Sequence, residues 1–248
     1  MMCRSWYIAA VPHLHHSLTT DDNYNYETKR DNRWPRPLKN SYELGLLPFV
    51  KRLRIRTGPS VKISYMFAPT WLSGHTMTYF SALTNLQELG IEHLLIPNFM
   101  PTIQQCFGHF SPTLRFLALL APFGSSRQIL YFIGLFPNLQ DLKLHYPSIS
   151  LHYREDAPDD NDTTPAPPSV PPLRGRLMLT YCQKVNLMKE MIDVFGGLRF
   201  RHMDLFGVKS VRLLLDACAE TLETLKLYPT EPYGEEFSQK KGRKTELK

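Results

Sequence analysis

The residue types able to do chemistry are few in this 248-residue chain and poorly grouped. His13, His15 and His16 form a histidine cluster. Imidazoles so spaced can ligate a metal, but no thiol or carboxylate stands at a matching interval, and the segment reads as a polar loop beside a helix. His202 and Asp204 stand two apart, on one face of a strand, where they could exchange a proton. With no nucleophile beside them they read as surface residues. Cys3, Cys106, Cys182 and Cys218 are widely separated and lack the paired spacing of a disulfide framework or zinc site. There is no glycine-rich phosphate loop and no nucleophile elbow. The expectation is a protein with no catalytic residues, no metal and no cofactor.

Composition narrows the class further. A hydrophobic fraction of 43% is that of a chain able to bury a core. The net charge of +6 invites a nucleic-acid reading. Much of the excess, however, lies in Arg52, Arg54 and Arg56 and in a tail carrying Lys240, Lys241, Arg243 and Lys244. A short basic tail reads as a solvated end, so nucleic acid is not the expected partner. No apolar run resembles a signal peptide or reaches membrane-spanning length, so no membrane role is expected. A reducing interior, cytoplasmic or nuclear, is the expected compartment.

What could position any functional residue is a repeat. The pattern apolar-x-x-apolar-x-apolar occurs at Leu86/Leu89/Ile91, Leu114/Leu117/Leu119, Leu139/Leu142/Leu144 and Leu222/Leu225/Leu227. Weaker copies are Val50/Leu53/Ile55 and Phe200/Met203/Leu205. A seventh strand ends on Leu177 and Leu179, with Leu173 one residue too early for the pattern. The last apolar positions fall at 55, 91, 119, 144, 179, 205 and 227, spaced 36, 28, 25, 35, 26 and 22 residues apart. Most of these steps fall in or near the leucine-rich-repeat range. Between strands the period shifts to that of a helix: Ile103, Cys106, Phe107, Phe110; Met188, Met191, Ile192, Phe195; and Val208, Val211, Leu215, Cys218. The segment around Ile129, Ile133 and Phe136 is similar. The methionine stripe reads as packing against the strand layer.

One strand and one helix per unit cannot bury their apolar faces alone, so the units must stack. The expected fold is α/β, an irregular leucine-rich-repeat solenoid of about seven repeats. It would be a horseshoe-like arc with strands on the concave side and helices on the convex side. Regular repeats place Asn or Cys three residues after the last leucine; here those positions hold Leu94, Pro122, Pro147 and Thr230, so irregular turns are expected. The repeat domain spans 44–228, with a disordered acidic and proline-rich insertion at 153–172. A linker at 21–43 precedes it, and a flexible basic tail at 229–248 follows.

Residues alternating with the leucines point into the hollow of the arc. The candidate contacts are Arg52, Arg54, Arg56, Glu88, Glu92, Phe116, Asp141, Lys143, His145, Arg176, His202, Asp204, Phe206, Lys226 and Tyr228. Phosphate-tracking surfaces are uniformly basic, whereas mixed charge around aromatic anchors suits a protein partner.

The opening Cys3-Arg4-Ser5-Trp6-Tyr7, followed by Ala9 through Leu14, resembles the last helix of an F-box in fungal proteins, which leads to a short strand. The phrases Leu83-Thr84-Asn85-Leu86-Gln87-Glu88-Leu89 and Phe136-Pro137-Asn138-Leu139-Gln140-Asp141-Leu142-Lys143-Leu144, with the stretch 43–55, resemble the irregular repeats of the same family. The repeat likeness covers roughly 44–228 and the F-box likeness about fifteen residues, a remnant at 1–20. The resemblance implies a non-catalytic substrate-recognition subunit of a cullin-type ubiquitin ligase. Trp6, Tyr7 and Ile8 would be the remnant of the surface that docks an Skp1-type adaptor, if the F-box is completed upstream. The alternative is a free-standing repeat scaffold or decoy without a ligase link.

Overall fold

The computed structural model describes residues 10–11, 13–22, 36–57, 74–92, 105–120, 125–146, 172–182, 185–208 and 211–228. In chain order the elements are β1 (Ser17–Asp22), α1 (Arg36–Glu43), β2 (Arg52–Thr57), α2 (Gly74–Ser81), β3 (Glu88–Glu92), β4 (Phe116–Leu120), α3 (Ser126–Gly134) and β5 (Asp141–His145). They continue with β6 (Leu173–Thr180), α4 (Val185–Val194), β7 (Leu198–Phe206), α5 (Val211–Cys218) and β8 (Thr224–Tyr228). Short 3-10 turns precede β2, at Leu47–Phe49, and β4, at Gly108–Phe110.

The eight strands form one sheet in the order of the sequence, and every neighbouring pair is parallel. Parallel neighbours need a crossover between them, and among the described residues helices and turns supply it for every pair except β5 and β6. The pairing aligns Ile55, Ile91, Leu119, Leu144, Leu179, Leu205 and Leu227 in a single row. A second row runs Leu53, Leu89, Leu117, Leu142, Leu177, Met203 and Leu225. From β2 to β7 both rows are buried. Each such side chain contributes about 1.5–3 kcal/mol by leaving water.

The helices cover these rows. Serine 125 caps α3 reciprocally: its hydroxyl accepts from the Gln128 N–H, and the Gln128 side chain accepts from the Ser125 N–H. From Gln128 to Gly134 the helix is buried all round, because it is flanked on both sides as well as beneath. Beside it Phe80, Phe107, Phe110, Phe132 and Phe136 interlock at ring-centroid distances of 5.3–6.5 Å, mostly tilted or edge-to-face. Edge-to-face contact sets a ring's positive rim against a neighbour's negative face. The stripe Met188, Met191 and Phe195 is core, as expected. In α5 the buried residues are Leu214 and Cys218, whereas Leu215 of the expected stripe is only half-buried.

The sheet begins one strand earlier than the sequence reading. Strand β1 occupies 17–22, across the expected boundary between F-box remnant and linker, and α1 occupies the end of that linker. Strand β1 escapes the leucine pattern because its place in the first apolar row is taken by Thr20, opposite Ile55. Thr20 is buried, and its hydroxyl has no hydrogen-bond partner.

The early Leu173 also has a physical explanation. It pairs with Leu198, and the register then shifts by one between Gly175 and Arg176, where β7 contributes the extra residue Arg201. Such a bulge lets both ends of a strand pair keep their buried faces.

Side-chain bonds between successive units lie just before the strands. The residue before the first leucine of a copy donates its side chain back to the preceding repeat. Asn85 donates to the Pro48 carbonyl (2.9 Å) and Asn138 to that of Pro112 (2.8 Å). Thr113 donates to Leu86 (2.7 Å) and Thr221 to Phe200 (3.2 Å). Backbone bonds run alongside: the carbonyls of His16, Lys51, Gln87 and Arg115 each accept two N–H groups from the next repeat. The turn positions 94, 122, 147 and 230 lie outside the described residues, as do Trp6, Tyr7, Ile8, residues 153–171 of the expected insertion, and the tail 229–248.

Candidate functional site: the open face of the sheet

Opposite the leucine rows, alternate residues of the strands make a second face. It holds Arg52, Arg54 and Arg56 on β2, then Glu88 and Glu92 on β3, and Phe116 on β4. Beyond these come Asp141, Lys143 and His145 on β5, and Arg176 on β6. His202, Asp204 and Phe206 on β7 and Lys226 and Tyr228 on β8 complete the set. The registers bring all fifteen sequence-derived contact residues onto this face. They divide into two regions of different chemistry.

At the β2–β3 end the charges neutralise one another. Arg52 reaches Glu88 at 2.8 Å, Arg54 reaches Glu92 at 2.9 Å, and Arg56 reaches Glu92 at 3.6 Å. Cross-strand placement makes this unavoidable, since Arg52 stands opposite Glu88. The basic strand is therefore met by an acidic one, and little unbalanced charge remains to track a phosphate backbone.

At the β5–β8 end the face is aromatic. The rings of His145 and Tyr181 lie 6.3 Å apart, Tyr181 and Phe206 4.9 Å, and Phe206 and Tyr228 5.9 Å. Burial, followed by the Lys143 charge, lowers the His145 pKa from the ordinary imidazole value. Met178, Thr180, Tyr181, Asp204, Phe206 and Tyr228 line a shallow depression of about 390 Å³. The side chain of Asp204 is 19% exposed, and the Lys226 ammonium stands 4.0 Å from it.

Tyr181 is absent from the residues read out of the repeat, because it lies one place beyond the strand. Its φ is +53°, a left-handed conformation costly for a bulky side chain. Pairing sets Thr180 beside Phe206, so the next residue on β7 is Gly207, with φ +60°. The turn requires a left-handed residue after the strand; β7 meets this with glycine and β6 with tyrosine. Aligning Leu179-Thr180-Tyr181 with Leu205-Phe206-Gly207 exposes the anomaly in the sequence itself. The Tyr181 N–H donates to the Phe206 carbonyl at 2.7 Å, which fixes the ring over β7.

The junction of β5 with β6 fixes this region to the rest. Gly175 has φ +88°, and a Cβ there would stand 2.4 Å from the Gln140 carbonyl oxygen. The Arg176 N–H donates to Asp141 Oδ1 at 2.8 Å. Asp141 thus serves as a backbone acceptor as well as a face residue.

Among the described residues the other chemistry-bearing groups are not gathered into a centre. His13 is exposed, and His16 shares a hydrogen bond with the Ser17 hydroxyl. Among the described residues no three His, Cys, Asp or Glu side chains are grouped to hold a metal. Cys106, Cys182 and Cys218 are buried and none of them is in a disulfide. Burial pushes the Cys106 thiol up to about 11 and also raises that of Cys218, which keeps both protonated. Among the described residues no helix is long and apolar enough to cross a membrane. No family model matches this sequence, and no curated protein is significantly similar to it.

Proposed function

We propose that the chain is an irregular leucine-rich-repeat protein that acts by binding another protein along the open, concave face of its sheet, without catalysis. The observation that carries this reading is the strictly sequential parallel sheet, which repeats one leucine frame seven times and sets paired charges and aromatic rings opposite it. A stack of this kind offers a broad surface of side chains on a rigid support, suited to a protein partner. Resemblance to fungal F-box proteins makes the partner a substrate for a cullin-type ubiquitin ligase, in the cytoplasm or nucleus. The alternative is a free-standing scaffold or decoy without a ligase link.

A pull-down with an Skp1-type adaptor separates the two. Recovery of adaptor by this chain as it stands supports the ligase reading, recovery only after upstream sequence is added supports a truncated F-box protein, and failure in both cases supports the scaffold. The binding reading itself predicts that charge reversal at Arg52, Arg54 and Arg56, or alanine at Phe206 and Tyr228, weakens capture of a partner identified with the parent chain. Reversal of Arg127 and Arg212, exposed on the helical side, should not. Equal loss from both sides would sink it.

A further inference from the structure

The aromatic depression has a feature that a general contact surface does not require. Of its six lining residues only Asp204 is charged, and its side chain is 19% exposed. Beside it in the lining stand Met178, Thr180 and the neighbouring aromatic residues Tyr181, Phe206 and Tyr228. A carboxylate set among apolar walls is stabilised by a cation. The cation at hand, Lys226, meets it only at 4.0 Å, with its own side chain 58% exposed. It is a loose partner that can swing away.

We propose that this depression is a specificity pocket for an arginine side chain presented by an extended segment of the partner protein. A guanidinium is planar and weakly hydrated. It can lie against aromatic faces while its N–H fork bonds a carboxylate, which a compact, strongly hydrated ammonium does less well. The volume of about 390 Å³ accommodates the head and its three-carbon stem. Tyr181 supplies a wall that the glycine at the corresponding place on β7 does not, at the expense of a left-handed backbone. An acidic partner side chain would meet the Asp204 carboxylate and be repelled. The pocket assignment rests on the reading of the open face as a binding surface, and deepens it.

The test uses the full chain with methyl-labelled methionine, the Met178 signal being assigned from Met178→Leu. N-acetyl-arginine methylamide is titrated against its neutral isostere N-acetyl-citrulline methylamide. Saturable movement of the Met178 methyl is expected with the first probe in the millimolar range and not with the second. Asp204→Asn should weaken arginine binding by about tenfold. Lys226→Met removes the competing cation and should strengthen it by about two- to fivefold. Both substitutions are isosteric or near-isosteric and lie opposite the leucine core, and unchanged melting shows that they fold. Equal binding of citrulline, indifference to Asp204→Asn, or weaker binding by Lys226→Met each overturns the pocket. The two readings fail separately: partner capture that is insensitive to open-face substitutions removes the surface, whereas loss of the arginine response alone removes the pocket.

Discussion

The two ends of the open face solve the same problem in opposite ways. At β2–β3, polar groups are matched within the molecule, with Arg52, Arg54 and Arg56 held by Glu88 and Glu92. At β5–β8, rings are lined up and left partly open, with one carboxylate among them. Matched surface charges lose little to water and gain little from a partner. Aromatic surface that remains hydrated in the free protein keeps its burial energy for a complex. Under the proposed binding role, the charged end would orient a partner and the aromatic end would hold it.

Both ends hang on one leucine layer, and the largest effect should come from there. Leu142→Asp places an unpaired charge between strand and helices, and should lower stability by at least about 3 kcal/mol in urea denaturation. Lys143→Asp, on the other face of the same strand, should shift it by no more than about 0.5 kcal/mol. If both unfold with the parent, the two faces are wrongly assigned. Next comes Gly175→Ala, which forces a left-handed alanine against the Gln140 carbonyl and should cost roughly 2–3 kcal/mol. Its damage should be local, moving signals of β6 and β7 before those of β2 and β3; uniform loss would erase the distinction between the ends.

Tyr181→Gly sharpens the comparison by uncoupling stability from binding. Relief of the strained φ offsets the lost ring contacts and the added freedom of glycine, so the melting free energy should stay within about 1 kcal/mol of the parent. Binding at the aromatic end should fall all the same. A large loss of stability would show that the ring is there for packing. The smallest effect belongs to the charged end, where a double-mutant cycle on Arg54 and Glu92 should return less than about 1 kcal/mol, shrinking further in high salt. A coupling of several kcal/mol would mean that this end is a rigid structural clasp.

Much of this architecture is legible in the residues. The leucines that define the copies are the ones that the sheet aligns, because burial on one face of a strand forces alternate apolar positions whatever lies between the strands. What escapes is set by single exceptions. Strand β1 is hidden by Thr20 at an apolar position, and the offset of Leu173 is absorbed by a bulge that no periodicity announces. Tyr181 escapes because an alternation rule stops at the end of a strand, whereas its ring is aimed by the turn beyond it. The bonds tying repeat to repeat sit on Asn85, Thr113, Asn138 and Thr221, before the leucines and not after them, where regular repeats would draw attention.

Strand β8 carries a consequence for handling the protein. Its pairing among the described residues is with β7 alone, and Leu225 and Leu227 are 37% and 51% exposed, while their counterparts on β2 to β7 are buried. An edge with alternating leucines is a template for another chain, and natural edges are kept soluble by charge, often lysine. In Thr224-Leu225-Lys226-Leu227-Tyr228 that charge is one ammonium. The residue beside the proposed arginine pocket is therefore also the one charge on this strand, and Lys226→Met should be studied dilute, with its colloidal stability followed by light scattering alongside its affinity.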